Sequence, residues 1–341
     1  MKSDSLYPIA LRRRARSGLV GLMVLALVAI ATSTAQAGGF TINAVFETSW
    51  INNAPAAATA DVNAVIKEFE ADFTNPVKIT IQFGWGDVAS TAANPGGIAI
   101  AGGAAAYFPQ LYNANPAQYT LTQTEKLITD HAAAHPENQP INTAAPNLPM
   151  AYPNPGGSTN FFVSDAEYKA LTGKAQNTDA IDGYVGVAAK DPWSFGAAAG
   201  AAGTEYFRGA LEHEITHDMG RFDAAYVVGN GGNPSYLTPL DFYKINANNA
   251  TLDPTRSVTR FSIDGGKTFY PGYTFNASSD TSDWNNLPDN SFNTSLGTFQ
   301  SVTPTDLVEM QALGWDPAVP EPGTWLLLGT GILALITAAR K

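Results

Sequence analysis

His213-Glu214-Ile215-Thr216-His217-Asp218-Met219-Gly220-Arg221-Phe222-Asp223 carries two of the four histidines in a chain of 341 residues. On a helix, residues four apart lie one above the other on one face, so both imidazoles can grip one metal ion. Glu214, next to the first histidine, is placed to take a proton from an attacking water, which is the chemistry of metal-assisted hydrolysis. Gly220 lets the chain leave the helix sharply, because glycine tolerates positive φ. The chain can then fold back and bring Asp223 to the same ion as a third ligand. Asp241 and Glu309 are the alternatives for that third place. Upstream, Gly203-Thr204-Glu205 offers a threonine cap and an acid for the helix start.

Outward from this segment, the two ends of the chain read as sorting signals. Residues 1–37 have the form of a secretory signal peptide. Arg12-Arg13-Arg14 and Arg16 make a basic region, Leu19 to Ala31 is apolar, and Ala35-Gln36-Ala37 is a cleavage site. At the other end, Pro320-Glu321-Pro322-Gly323 precedes the apolar run Trp325 to Ala339 and the basic Arg340-Lys341. That order describes a single short membrane span with a positive stop. It resembles the PEP-CTERM sorting signal, here 319–341. The resemblance implies a Gram-negative host, export to the cell surface or extracellular matrix, transient membrane anchoring through the span, and processing by signal peptidase and exosortase.

Composition narrows the rest. Removing both ends takes seven basic and two acidic residues, leaving a formal charge of about −16, against −11 for the whole chain. Such a surface argues against a nucleic-acid partner. With no cysteine anywhere, disulfides and thiolate metal sites are excluded, and histidine and carboxylate ligands suit a catalytic zinc. Residues 38–318 are long enough for one large core.

Periodicity predicts an α+β fold. Phe40–Phe46 alternates as a strand, Ala56–Phe73 has helical spacing, and Val77–Gly86 alternates again. Thr122–Ala134 and Val163–Leu171 read as helices, the latter stopped by Gly173, with a loop over Pro136–Thr159 between them. Asp182–Val187 reads as a short strand before the histidine helix. Beyond that helix the chain is loop-rich until a last helix, capped by Thr305, that carries Leu307, Met310 and Leu313 and stops at Gly314.

The segments DGYVGV (182–187), HEITHDMGR (213–221), TPLDFYK (238–244), FSIDGGKT (261–268) and TDLVEMQALGWD (305–316) resemble a family of bacterial HExxH zinc metalloproteases with PEP-CTERM tails. The histidine helix also resembles that of metzincins, with Asp223 where a third histidine usually stands. The resemblance implies a zincin-like fold: a mixed sheet, the active-site helix and a loop-rich C-terminal part. It implies a zinc metalloendopeptidase in which His213, His217 and Asp223 hold Zn2+, Glu214 is the general base, and protein or peptide is the substrate. By analogy Tyr243 would hydrogen-bond the oxyanion. In such folds an edge strand binds extended substrate; Val77–Gly86 and Asp182–Val187 are the two candidates, each equally readable as an interior strand. The chain departs from metzincins in lacking an evident Met-turn. Met310 reads as core, and Thr238–Tyr243 could take the turn's place, with Leu240 or Phe242 as its floor.

Two other groups invite a metal. His131 and His135 share the i,i+4 spacing at a helix end, where a favourable helix dipole is the commoner explanation. Asp264-Gly265-Gly266 and Asp280 to Asp283 could bind Ca2+, although a plain turn explains each. Competing functions are a non-enzymatic matrix protein on a zincin scaffold, and a zinc-dependent amidase or deacetylase acting on a non-peptide substrate.

Overall fold

In the computed structural model, residues 39–88, 98–99, 105–109, 119–149, 160–175, 181–222, 236–246, 248, 251–252, 259–277 and 280–318 are described. Gly38–Ala318 forms one compact unit; the other, Met1–Ala37 with Val319–Lys341, lies outside the described residues, as do both terminal signals and the apolar run after Trp325. No helix among the described residues is long and apolar enough to cross a membrane.

The expected α+β architecture is present. The main sheet contains β1 (Thr41–Phe46), β2 (Lys78–Trp85), β3 (Ala105–Pro109) and β4 (Gly183–Val187), in the order β1-β2-β4-β3. β1, β2 and β4 run parallel; β3 is antiparallel to β4. The alternation in β2 is why it is a strand: Ile79, Ile81 and Phe83 are buried while Lys78 is exposed. The helices are α1 (Thr48–Asn53), α2 (Ala56–Asp72), α3 (Leu121–Ala134), α4 (Gln139–Ala144), α5 (Asp165–Thr172), α6 (Phe207–Asp218) and α7 (Pro304–Ala312).

Both candidate substrate strands are interior: β2 lies between β1 and β4, and β4 between β2 and β3. Among the described residues the edge beside β4 is β3, which packs against α6. Sequence alternation cannot report a strand's neighbours, because the pleat has the same period at an edge and in the middle.

α6 sits on a bed that the first half of the chain builds. Val62, Val65, Ile66 and Phe69 of α2 are buried, and α2 packs on both β1 and α6. Phe207, the first residue of α6, meets Trp85, Trp193 and Phe195 at ring distances of 6.2, 5.1 and 5.0 Å. Burying an aromatic side chain contributes roughly 1.5–3 kcal/mol each, so this start is held by packing. The threonine cap expected at Thr204 is not used. Glu205–Tyr206 instead pair with Trp193–Ser194, and the N-cap, Tyr206, makes no side-chain hydrogen bond.

Two further local expectations shift. The Pro136–Thr159 stretch contains α4, started by Asn138, whose side chain accepts from the Ile141 amide. α7 starts two residues earlier than expected. Thr303 is its cap, in a capping box with Asp306 and with Pro304 in the first turn.

Gly220 ends α6 as its position suggested. Its φ is +117°, and the Arg221 amide reaches back to the Thr216 carbonyl at 3.0 Å, closing a Schellman-type end. A Cβ there would also lie 2.9 Å from Cδ of Glu167. Gly220→Ala is therefore expected to destabilise the protein by more than about 1 kcal/mol. An unchanged denaturant midpoint would show that the turn tolerates a side chain.

The C-terminal part is irregular but well packed. Trp284 meets Phe261, Tyr273 and Phe275 at 5.5, 5.2 and 4.6 Å, and its Nε1 donates to Asp306 of α7 at 2.7 Å. This cluster anchors the segment carrying Asp283. Met310 is fully buried, as core packing predicts.

Candidate metal centre

α6 places His213 and His217 with their rings 4.5 Å apart. Each ring is oriented through its Nδ1. That of His213 donates to the Ser291 carbonyl at 2.7 Å, and that of His217 to the Arg221 carbonyl. With both Nδ1 protons so used, both Nε2 atoms present lone pairs, and they face each other at 2.9 Å. Two lone pairs at that distance call for a cation between or beside them.

Asp283 completes the group. Its Oδ1 lies 3.3 Å from His213 Nε2 and 3.2 Å from His217 Nε2, and all three residues are buried. Two imidazoles and a carboxylate are a donor set suited to zinc. Burial first, then Arg221 and His213, holds His217 well below the usual imidazole range. Burial lowers His213 too, against the pull of Asp283. Both rings are thus favoured in the neutral form that ligation requires.

Glu214 is buried, and its Oε2 has no hydrogen-bond partner among the described residues. Burial, reinforced by the negative charge of Asp283, pushes its carboxyl well above the usual range, while Arg221 opposes the shift. A dication among the three donors would become the dominant local charge and draw that carboxyl back toward ionisation.

Arg221 belongs to the same cluster. Fully buried, it contacts Asp283 Oδ1 through Nη1 at 2.9 Å. Its Nη2 lies 2.9 Å from His217 Nε2 and donates to the His213 carbonyl at 3.1 Å. Its guanidinium stacks 4.3 Å above the Phe292 ring. The cluster thus already holds one positive charge, and a metal would take over the His217 contact.

The structure brings His213, Glu214 and His217 together. Asp223 lies outside the described residues. Asp241 is occupied elsewhere: it accepts from the Thr238 amide at 2.8 Å and pairs with Lys244. Glu309 is buried without a hydrogen-bond partner among the described residues, its carboxyl raised by burial and opposed by Arg221. The Tyr243 hydroxyl donates to the Ala312 carbonyl at 2.8 Å, at the end of α7, so in this arrangement it is committed to packing. The Thr238–Tyr243 segment, a 3-10 turn, is tied to the exit of α6 through the Thr238 hydroxyl and the Phe222 carbonyl at 2.9 Å. Leu240 and Phe242 are buried.

Asp283 stood in the sequence only as part of a possible calcium turn. Nothing in local spacing could link it to residues 66 to 70 positions upstream. The other calcium candidates serve their own loops: Asp280 accepts from Ser282, and Asp264 from the Ser262 hydroxyl and the Thr268 amide.

Residues 318–341 match the PEP-CTERM protein-sorting motif. This motif marks proteins exported and sorted to the cell surface of Gram-negative bacteria, and it implies processing by exosortase. The match covers the tail alone. No curated protein and no solved structure matches the chain.

Proposed function

We propose that this surface-sorted protein is a zincin-like, zinc-dependent endopeptidase with His213, His217 and Asp283 as metal ligands. The observation that carries this reading is the convergence of two Nε2 lone pairs and a buried carboxylate, with Glu214, whose Oε2 has no hydrogen-bond partner among the described residues, within reach of the Asp283 charge. Zinc bound there would supply a Lewis acid that activates water and polarises a carbonyl. Glu214 takes the proton of the attacking water and returns it to the leaving amine. Ser291 and Arg221 carbonyls hold the two rings in the ligating tautomer. Among the described residues β3 is the antiparallel edge strand beside α6, which supports a peptide substrate, since an extended chain can add to such an edge by main-chain hydrogen bonds.

The test is zinc content and casein cleavage in purified variants. His217→Ala and Asp283→Ala should each lose the zinc of this site together with cleavage, and Asp223→Ala should lose neither. Zinc retained in Asp283→Ala but lost in Asp223→Ala would make Asp223 the third ligand.

A second reading rests on Arg221. A guanidinium already paired with Asp283 and touching His217 suits a metal-free scaffold in a surface or matrix protein, with the arginine providing the needed charge. Wild-type protein that takes up no zinc through His217 and cleaves no peptide would favour it.

A further inference from the structure

His131 and His135, at the C-terminal end of α3, meet Asp316 near the end of the described chain. The sequence favoured exposed histidines at a helix end. His131 is instead buried, and both histidines contact one carboxylate. His131 Nε2 lies 2.9 Å from Asp316 Oδ1, and His135 Nδ1 lies 2.8 Å from Oδ2.

Acceptors around these rings outnumber the hydrogens that two neutral imidazoles present to them. His131 Nδ1 faces the Leu171 carbonyl at 3.2 Å, and its Nε2 faces the carboxylate, so both neighbours are acceptors. A neutral imidazole has one N–H and can serve only one of them. His135 Nδ1 faces two carboxylates at once, Asp316 at 2.8 Å and Glu137 at 3.1 Å. A divalent ion among these nitrogens and oxygens would supply the charge that a single N–H per ring cannot, and the two rings lie 4.1 Å apart.

We infer that His131, His135 and Asp316 form a second transition-metal site of the zinc class, separate from the centre on α6. Two imidazole nitrogens favour zinc over calcium or magnesium, which prefer oxygen. The carboxylate is held in place: Asn138 donates to Oδ1 at 3.1 Å and Asn75 to Oδ2 at 3.3 Å. An entry path exists, since a cavity of about 360 Å³ is lined by His131, His135 and Leu171, and the His135 side chain is 30 % exposed.

The consequence is a clamp. A metal here ties α3 to a residue 185 positions later, two residues before the matched sorting motif begins at 318. It would hold the last turn of the fold in place where the sorting tail departs.

The test compares zinc per chain in the full-length protein, purified in detergent and equilibrated with zinc alone, for wild type and His135→Ala. His135 is partly exposed, so its loss should spare folding. The variant should contain one zinc fewer than wild type, and zinc should raise the melting temperature of wild type more than that of the variant. Because the readout is a difference, it does not depend on the α6 centre; His217→Ala should subtract a separate equivalent. Equal zinc in wild type and His135→Ala overturns the site and leaves a histidine–carboxylate hydrogen-bond cluster. Anomalous scattering at the zinc edge from wild-type crystals decides the matter independently of any variant. A peak between His131, His135 and Asp316 supports the site, and its absence in zinc-soaked crystals overturns it.

Discussion

Glu214→Gln is expected to lower peptide cleavage by roughly 10²–10⁴-fold, the usual contribution of a positioned general base, while zinc content stays at the wild-type level. In the proposed arrangement Glu214 moves protons and ligates nothing. Its environment also predicts the stability outcome. Burial and the charge of Asp283 disfavour the ionised carboxylate, so a neutral amide of the same shape should fold at least as well. Loss of activity with an undiminished melting temperature is therefore the signature of a base. Equal casein cleavage by wild type and Glu214→Gln would end the proposed mechanism. Loss of both zinc and stability would mean that Glu214 has a structural task.

The second large effect is expected at Arg221. Its guanidinium is fully buried and contacts Asp283, the Ser282 and His213 carbonyls, the Thr216 hydroxyl and the Phe292 ring. Arg221→Ala strands Asp283 as a buried charge, and breaking such a pair typically costs about 3–5 kcal/mol. At about 2–4 °C per kcal/mol for a domain of this size, the melting temperature should fall by roughly 10 °C in metal-free protein. Zinc should recover part of that loss, because a dication can neutralise Asp283 in place of the guanidinium. A fall below about 2 °C without zinc would mean that Arg221 carries little of the cluster's stability. No recovery with zinc would count against ligation by Asp283.

Local sequence was informative wherever chemistry or geometry repeats at short range. The i,i+4 histidines, the adjacent glutamate and the glycine exit of α6 are set by helical periodicity and by glycine's access to φ of +117°. The strand over 78–85 and the helix over 56–72 follow from alternation and 3.6-residue spacing. The C-terminal sorting signal is legible because its motif, apolar run and basic end follow one another directly.

Local reading failed where a neighbour distant in sequence supplies the missing partner. Thr204 resembled a helix cap, but strand pairing took Glu205–Tyr206 and packing of Phe207 set the start. Asp283 resembled a turn residue, and only the packing of Trp284 and the reach of Arg221 bring it to the histidines. His131 and His135 resembled surface residues at a helix end, and only the closing of the chain sets Asp316 against them. The sequence by itself determined which residues could bind a metal and where the chain is sorted, since side-chain chemistry and contiguous motifs are written locally. The tertiary structure decided which carboxylate joins each histidine pair and which strand forms the edge, since these depend on contacts across 66 to 185 residues that no local period encodes.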